Sequence, residues 1–558
     1  VDAGAVGLAG ANAATLALCY GTADDQVARL DPAKVAGKIV VCERGGNVLV
    51  NKAAAVKAAG GIGMVLVNTP TSGITTPFVA YDIAAVHLTM AAYPAIKAYA
   101  AAPGATATIN RADVTLGLAA PFTADFSSRG PLRASGSLLK PDLIAPGQDI
   151  LAGVAPPGNG GKLFDLYSGT SMSSPHVAGL AALMKQSNPG WSPMAIKSAL
   201  MTTGTDVLDG PNTNALVIFR QGAGHVRPMH AADPGLVFDS GFADWLGFLC
   251  GTQLPVANCT AAGVPVVEPS NFNGASIALG KLAGTQKVSR TVTNVAQFDE
   301  TYKFSVAGLA GVNVTLPADL TVQRGKSAKF ELTFTATTAA TLNAYTGGQL
   351  TLTGSKGHVV RLPMVVNPVA LAAPVEVTGS YNVTFGYTGA FTAAARGLLA
   401  ATTKTGSVQT DATQDFTIDV PAGQTYLRIS LFDANVSQAA DLDVEVYRNG
   451  ALVGSSGSGT SAEEVNFVNP VAGTYTVRVV GYLVPVGAAN FTLFHWTLGT
   501  TAAGNMTVAA PASATLGQTG AIGLTFSGLA AGTKYLGSVA YSGASGMPAP
   551  TIVRVDGN

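Results

Sequence analysis

Charge is scarce in this chain. Of its 558 residues only 11% are Asp, Glu, Lys or Arg, and 32 basic side chains balance 32 acidic ones. Such a balance gives no electrostatic footprint for nucleic acid or for an anionic membrane surface. Long apolar runs are also missing. Mean hydropathy is positive, at +0.34, yet stretches such as Gly179–Met184 fall far short of the ~18 consecutive apolar residues a spanning helix needs. No membrane span is expected. Cys-x-x-Cys, His-Glu-x-x-His and Gly-x-Gly-x-x-Gly are all absent, so neither a zinc site nor a dinucleotide fold is implied, and no cofactor is expected.

Cysteine is limited to four residues, with Cys19 near Cys42 and Cys250 near Cys259. An even, paired count without metal-ligand spacing favours two disulfides and an oxidising, extracellular location. Four buried free thiols are the alternative. No charged n-region followed by an apolar h-region opens the chain, so a removed leader or a fragment is expected.

What the chain does have is pattern. Gly37–Cys42 reads as a buried strand, residues 52–59 as a helix ended by Gly60-Gly61, and Ile62–Val67 as the next strand, which implies a small α/β or α+β unit. An Ala-rich helix is expected from about Ser171 to Gln186. A second should follow Trp191-Ser192-Pro193, with Ser192 as N-cap and Pro193 at the first helical position. Ile196 and Leu200 would form its buried stripe. Beyond about Pro269 the period becomes two. Phe330, Leu332 and Phe334 alternate with polar neighbours, and Asp441–Tyr447 alternates into an Arg448-Asn449-Gly450 turn, as in antiparallel hairpins.

Ser171 is the principal candidate for chemistry. A serine hydroxyl needs a base to take its proton and donors to stabilise the developing oxyanion. At the start of a helix its own N–H can serve the second need, because first-turn amides lack partners and the dipole is positive there. Pro175 would fit the first turn, and a small face of Ala178, Gly179, Ala181 and Ala182 would let the helix pack deeply against a sheet. Met172 is followed by Ser173 rather than by glycine, which argues against the Gly-x-Ser-x-Gly elbow of an esterase.

The run Gly169-Thr170-Ser171-Met172-Ser173-Ser174-Pro175-His176-Val177-Ala178-Gly179 resembles the serine signature of the subtilase family, with Ser171 at the nucleophile position. Phe126–Pro131, Lys140–Gly147 and Gly222–Val226 resemble flanking strands of that family's catalytic domain. Leu30–Cys42 is similar to the protease-associated domain inserted in plant-type subtilases. Asp233–Val237, Phe248–Cys250 and Arg290–Val295 resemble the passage into their fibronectin-type-III-like domain, and the region after it resembles a bacterial pre-peptidase C-terminal domain.

The resemblance implies a multidomain α/β plus all-β chain. Its parts would be a protease-associated insert (1–115), the C-terminal half of a subtilisin-like catalytic domain (116–240) and a connection carrying Cys250 and Cys259 (241–268). A fibronectin-type-III-like sandwich (269–370), a pre-peptidase C-terminal-like β-domain (371–500) and a small β-domain or part of one (501–558) would follow. It implies a secreted serine endopeptidase acting on proteins or peptides through an acyl-enzyme on Ser171.

Three partners of that serine are missing from the expected positions. The family uses an Asp, a His and an oxyanion Asn that precede the insert. His87, His176, His225, His230, His358 and His495 all lack the His-Gly-Thr context. His176 is expected to be a packed helix residue whose ring points away from Ser171. Asp239-Ser240-Gly241 has the family's aspartate pattern but stands after the serine, where an ordinary turn is expected. Asp142 is expected to shape a loop. The chain is therefore predicted to be inactive alone and to need the other half of its own catalytic domain. The rival reading is a non-catalytic binding assembly for protein or cell-surface ligands, with Ser171 a relic. Asp433, Asp441 and Asp443 raise a structural calcium site as a further possibility, against a plain solvated strand face.

Overall fold

Three short β-branched runs order the N-terminal part of the computed structural model, which describes residues 1–72, 75–111, 120–159 and 161–557. Strands Ile39–Glu43, Gly63–Val67 and Ala84–Leu88 form a parallel sheet in that order. Helix Leu49–Ala58 covers one face, where Val40, Cys42, Val56, Met64 and Leu66 pack together. Helix Tyr93–Ala101 covers the other, over Val41, Val65 and Val67. The first two strands are covered on both faces, which is why they read as apolar runs, whereas Ala84–Leu88 at the edge stays partly exposed. Gly60 ends the first helix at φ = 80°, a conformation only glycine takes cheaply. The expected unit boundary at residue 115 lies outside the described residues.

A disulfide joins Cys19 to Cys42, closing a loop of 23 residues, and a second joins Cys250 to Cys259. Replacing Cys19 and Cys42 by serine is expected to lower the stability of the N-terminal unit by about 3 kcal/mol, through the unfolded chain's recovered entropy. Thermal unfolding of the double variant checks this; an unchanged Tm would contradict it.

The middle of the chain carries a hairpin, Ile150–Gly153 paired with Phe164–Tyr167, and then helices Thr170–Ser187 and Pro193–Thr202. Ser192 caps the second helix by accepting from the N–H of Ala195 at 2.9 Å, and Ile196 and Leu200 are buried.

Residues 277–368 build two facing sheets. One runs 312–315, 327–336, 285–294, 236–237; the other 320–322, 300–308, 346–354, 359–368, 277–282. Phe330, Leu332 and Phe334 point into the core between them. This sandwich takes in one strand from before residue 269. Leu236–Val237 pairs with Asn294 and Thr293, and Leu236 and Phe238 are core residues. The cause is energetic: a two-residue strand buries its apolar side chains only by joining a neighbouring sheet. Arg290 fastens the linker beneath, donating to the carbonyls of Ser270 and Ser276 at 2.9 and 2.8 Å.

His358 sits where this sandwich meets Asp233. Its Nδ1 is bonded to the buried Glu300 carboxylate, and its Nε2 lies 3.0 Å from Asp233 Oδ1. Tyr302 and the N–H of Lys356 also donate to Glu300. Burial alone would discharge the ring, but the hydrogen bonds and charges of Glu300 and Asp233 outweigh it and raise the pKa above the ordinary 6.5. The folded value exceeds the unfolded one. The stabilisation is therefore complete below the unfolded pKa and is lost as pH rises through the raised folded value. Asp233→Asn is expected to lower the His358 pKa and flatten that loss, as read by NMR titration of the ring. A wild-type ring titrating at or below 6.5 would contradict the account.

The C-terminal third departs from the expected division at residue 500. Strands 371–372 and 381–385 pair in one sheet with 519–526 and 506–509. Strands 376–377 and 392–400 pair in another with 551–556 and 534–542. Residues 371–400 and 501–558 thus make one sandwich. A second sandwich, 402–408 with 489–498, 426–430 and 464–468 facing 413–420 with 473–483, 441–448 and 451–456, is inserted into it. Strands of both sandwiches mix alternating and wholly buried stretches, so the sequence does not mark which strands share a sheet. The Asp441–Arg448 hairpin turns at Asn449 and Gly450, with φ of 51° and 78°, as a two-residue hairpin loop requires.

Candidate active site

Ser171 is the second residue of helix Thr170–Ser187 and is solvent exposed. Its turn is held from the side by the segment before the hairpin. The N–H of Gly169 donates to Gly147 O at 2.8 Å. Gly147 is confined to glycine there, since a Cβ would stand 2.1 Å from Ser173 Oγ and 2.9 Å from Gly169 O. Asp149 Oδ1 accepts from Ser168 Oγ at 3.0 Å, and its N–H donates back to that oxygen at 2.8 Å. The Ser171 hydroxyl thus stands among the first-turn amides of the helix, of which that of Met172 donates to Gly169 O at 3.0 Å.

Three expectations about this helix need correction. Pro175 is its sixth residue rather than a first-turn one, so the missing N–H deprives the Ser171 carbonyl of its i+4 partner. Ala178, Gly179 and Ala182 are exposed; the helix is anchored through Val177, Leu180, Ala181 and Met184. The small face has nothing to pack against among the described residues. His176 is exposed instead of packed, its Nδ1 2.8 Å from Met172 O. The 3.6-residue repeat turns that ring toward the preceding turn of its own helix.

No histidine or carboxylate hydrogen-bonds to Ser171 among the described residues. His87 is paired with Asn68 at 2.7 Å in the N-terminal sheet, with burial and then Arg44 pushing its pKa down to about 4. His225 bonds to Val226 O, His230 to Arg227, and His358 to Glu300 and Asp233. His495 lies on strand Ala489–Leu498. Asp239 Oδ1 accepts from Ser192 Oγ, and Asn273 donates to its carbonyl at 2.7 Å, so this turn ties segments together. Asp142 bridges Lys140 and Lys197 at 2.5 and 2.9 Å, and its carbonyl accepts from Ala223.

A cleft of about 880 Å³ lies beside the Ser171 helix, lined by Phe122, Phe126, Leu143, Val177 and His225 together with Thr170, Ser173 and Ser174. Ser171 does not line it. Leu151, Leu163, Phe164 and Leu183 around the hairpin and helix are each at least 60% exposed. Neither cleft nor patch was legible in the sequence, because each joins segments far apart in the chain. Asp149 and Ser168 escaped for the same reason: only the register Ile150↔Tyr167 brings them side by side.

Burial, then Asp441, Glu463 and Glu445, raise the Asp443 pKa. Among the described residues no three His, Cys, Asp or Glu side chains are grouped to hold a metal ion. No helix among them is long and apolar enough to cross a membrane.

These features agree with the comparisons. Residues 31–224 match the subtilase family, residues 271–366 a fibronectin type-III domain and residues 412–481 the bacterial pre-peptidase C-terminal domain. Over residues 31–224 the chain is of the subtilase family. Subtilisin-like protease SBT2.5 of Arabidopsis thaliana is 42% identical over 278 residues, 44% of this chain and 34% of that protein. SBT5.3 of the same plant is 39% identical over 364 residues, 60% of this chain and 47% of that protein. The chain therefore spans between a third and a half of these curated relatives. The solved subtilisin-like protease Apa1 from Pseudoalteromonas sp. AS-11 is 20% identical over 36% of each chain, with a TM-score of 0.17, too low to bear on the fold.

Proposed function

We propose that this chain is the Ser171-bearing part of a secreted serine endopeptidase that hydrolyses proteins or peptides through an acyl-enzyme. Ser171 Oγ attacks the scissile carbonyl and its own N–H supplies half of the oxyanion hole. The base, the carboxylate that orients it and the second oxyanion donor come from polypeptide outside these 558 residues. One observation carries the reading. The Ser171 hydroxyl stands at a helix start, in the family's motif, with no base bonded to it among the described residues. The exposed apolar side chains Leu151, Leu163 and Phe164 at the hairpin support a further unit seated there, since exposed apolar surface marks interfaces.

In this reading the N-terminal three-stranded unit is the protease-associated insert. The two disulfides suit an extracellular site. A fluorophosphonate probe tests the proposal. The isolated chain should stay unlabelled, and the chain joined to a complete catalytic half should label stoichiometrically at Ser171. Rapid labelling of the isolated chain would refute the shared site. Failure of the joined protein to label would favour a non-catalytic binding assembly.

A further inference from the structure

The carboxylate that holds the turn before Ser171 also holds the N-terminal unit. Besides accepting from Ser168, Asp149 Oδ1 accepts from the backbone N–H of Phe78 at 2.8 Å, 71 residues earlier. Asp149 has φ = 54°, a left-handed conformation that Asp and Asn tolerate and most residues do not. A second carboxylate holds the same loop: Asp125 accepts from the N–H of Thr75 at 3.0 Å and from its hydroxyl. Residues 75–78 are thus fastened twice, by Asp125 to the 120–128 stretch and by Asp149 to the turn that launches the Ser171 helix.

We propose that Asp149 is a positioning residue for Ser171, tying loop 75–78 to the turn that starts the serine's helix, so that nucleophile placement depends on how the N-terminal unit is seated. The catalytic half of this proposal rests on the peptidase reading above; the mechanical half does not. Among the described residues no side chain hydrogen-bonds to Ser171 Oγ, so its place is set by the turn of Ser168, Gly169 and Thr170 that starts its helix. The Gly169 N–H is tied to Gly147 O, and the Ser168 hydroxyl is tied to both the carboxylate and the N–H of Asp149. Without the carboxylate, Ser168 Oγ and the N–H of Phe78 both lose their acceptor. A displacement of about 1 Å at a nucleophile lowers turnover by about a hundredfold.

Three variants separate the causes. Asp149→Ala removes the acceptor and strains the left-handed backbone. Asp149→Gly removes the acceptor alone. Asp149→Asn keeps an acceptor oxygen and tolerates the conformation. In the 558-residue chain, hydrogen exchange should accelerate about tenfold in residues 168–172 and 75–80 for Ala and Gly, and stay near wild type for Asn. Exchange in strands Ile39–Glu43 and Gly63–Val67 should be unchanged in all three, which reports intact folding. In the chain joined to a complete catalytic half, kcat should fall roughly ten- to a hundredfold for Ala and Gly at nearly constant KM, with Asn restoring it.

A Gly variant matching wild type in exchange and in kcat would overturn the proposal. Faster exchange at 168–172 with an unchanged 75–80 loop would overturn its coupling to the N-terminal unit. A joined wild-type protein without peptidase activity would refute the peptidase reading, while the exchange data would still decide whether Asp149 is the tie.

Discussion

Peptide hydrolysis by the isolated chain is expected to be at least about 10⁴-fold slower than by the same chain joined to a complete catalytic half. The physical ground is the state of the Ser171 hydroxyl. With no base bonded to it among the described residues, it stays protonated at neutral pH and is a weak nucleophile. The helix start still offers amide donors, so substrate binding and oxyanion contacts would survive in part. They do not replace proton transfer. Triad members act as a unit, and losing one is about as damaging as losing several. Ser171→Ala should therefore cost the joined protein nearly all its turnover while leaving the isolated chain at the same background. Single-turnover hydrolysis of an activated peptide ester measures both. Burst acylation of the isolated chain would overturn the expectation.

Lys52→Met is expected to destabilise the N-terminal unit by about 3 kcal/mol or more. Lys52 is wholly buried, and its ammonium donates to Leu18 O at 2.7 Å, to Gly45 O at 2.9 Å and to Asn47 Oδ1. Burial pulls its pKa down to about 8, with Asp24 and Glu43 acting in the other direction. Methionine fills the space of the stem but leaves three acceptors bare. Each buried acceptor without a donor costs roughly 1–3 kcal/mol, partly offset because no ammonium is then taken out of water. The carbonyls of Leu18 and Gly45 flank Cys19 and Cys42, so the loss should add to that of the disulfide less than independently. Hydrogen exchange of strands Ile39–Glu43 and Gly63–Val67 gives the local opening free energy. A change under about 1 kcal/mol would show that the acceptors find other donors.

By itself the sequence determined the features that are local. Ser192 is an N-cap because a hydroxyl one residue before a proline-led helix has an orphan N–H within reach. Phe330, Leu332 and Phe334 share a face because a strand's period is two. Asn449-Gly450 turns a hairpin because both residues accept positive φ. Ser171 was legible in the same way, as part of an eleven-residue run around a helix start. Lys52 was not, because inside a helix pattern a lysine reads as a solvated side chain until its neighbours are known.

Tertiary structure decided whatever depends on which segments become neighbours. Residues 371–400 close a sandwich with 506–556 across an inserted one, an order that no local pattern in these strands marks. Leu236 and Phe238 enter the core of the following sandwich because a short apolar strand needs a sheet to cover it. Ala178, Gly179 and Ala182 stand exposed because their small surface meets no partner among the described residues. Phe78, Asp149 and Ser168 meet only because a hairpin register and an interdomain loop converge on one carboxylate. Periodicity and capping act over a few residues, whereas sheet order and loop docking are settled by long-range burial that no local pattern encodes.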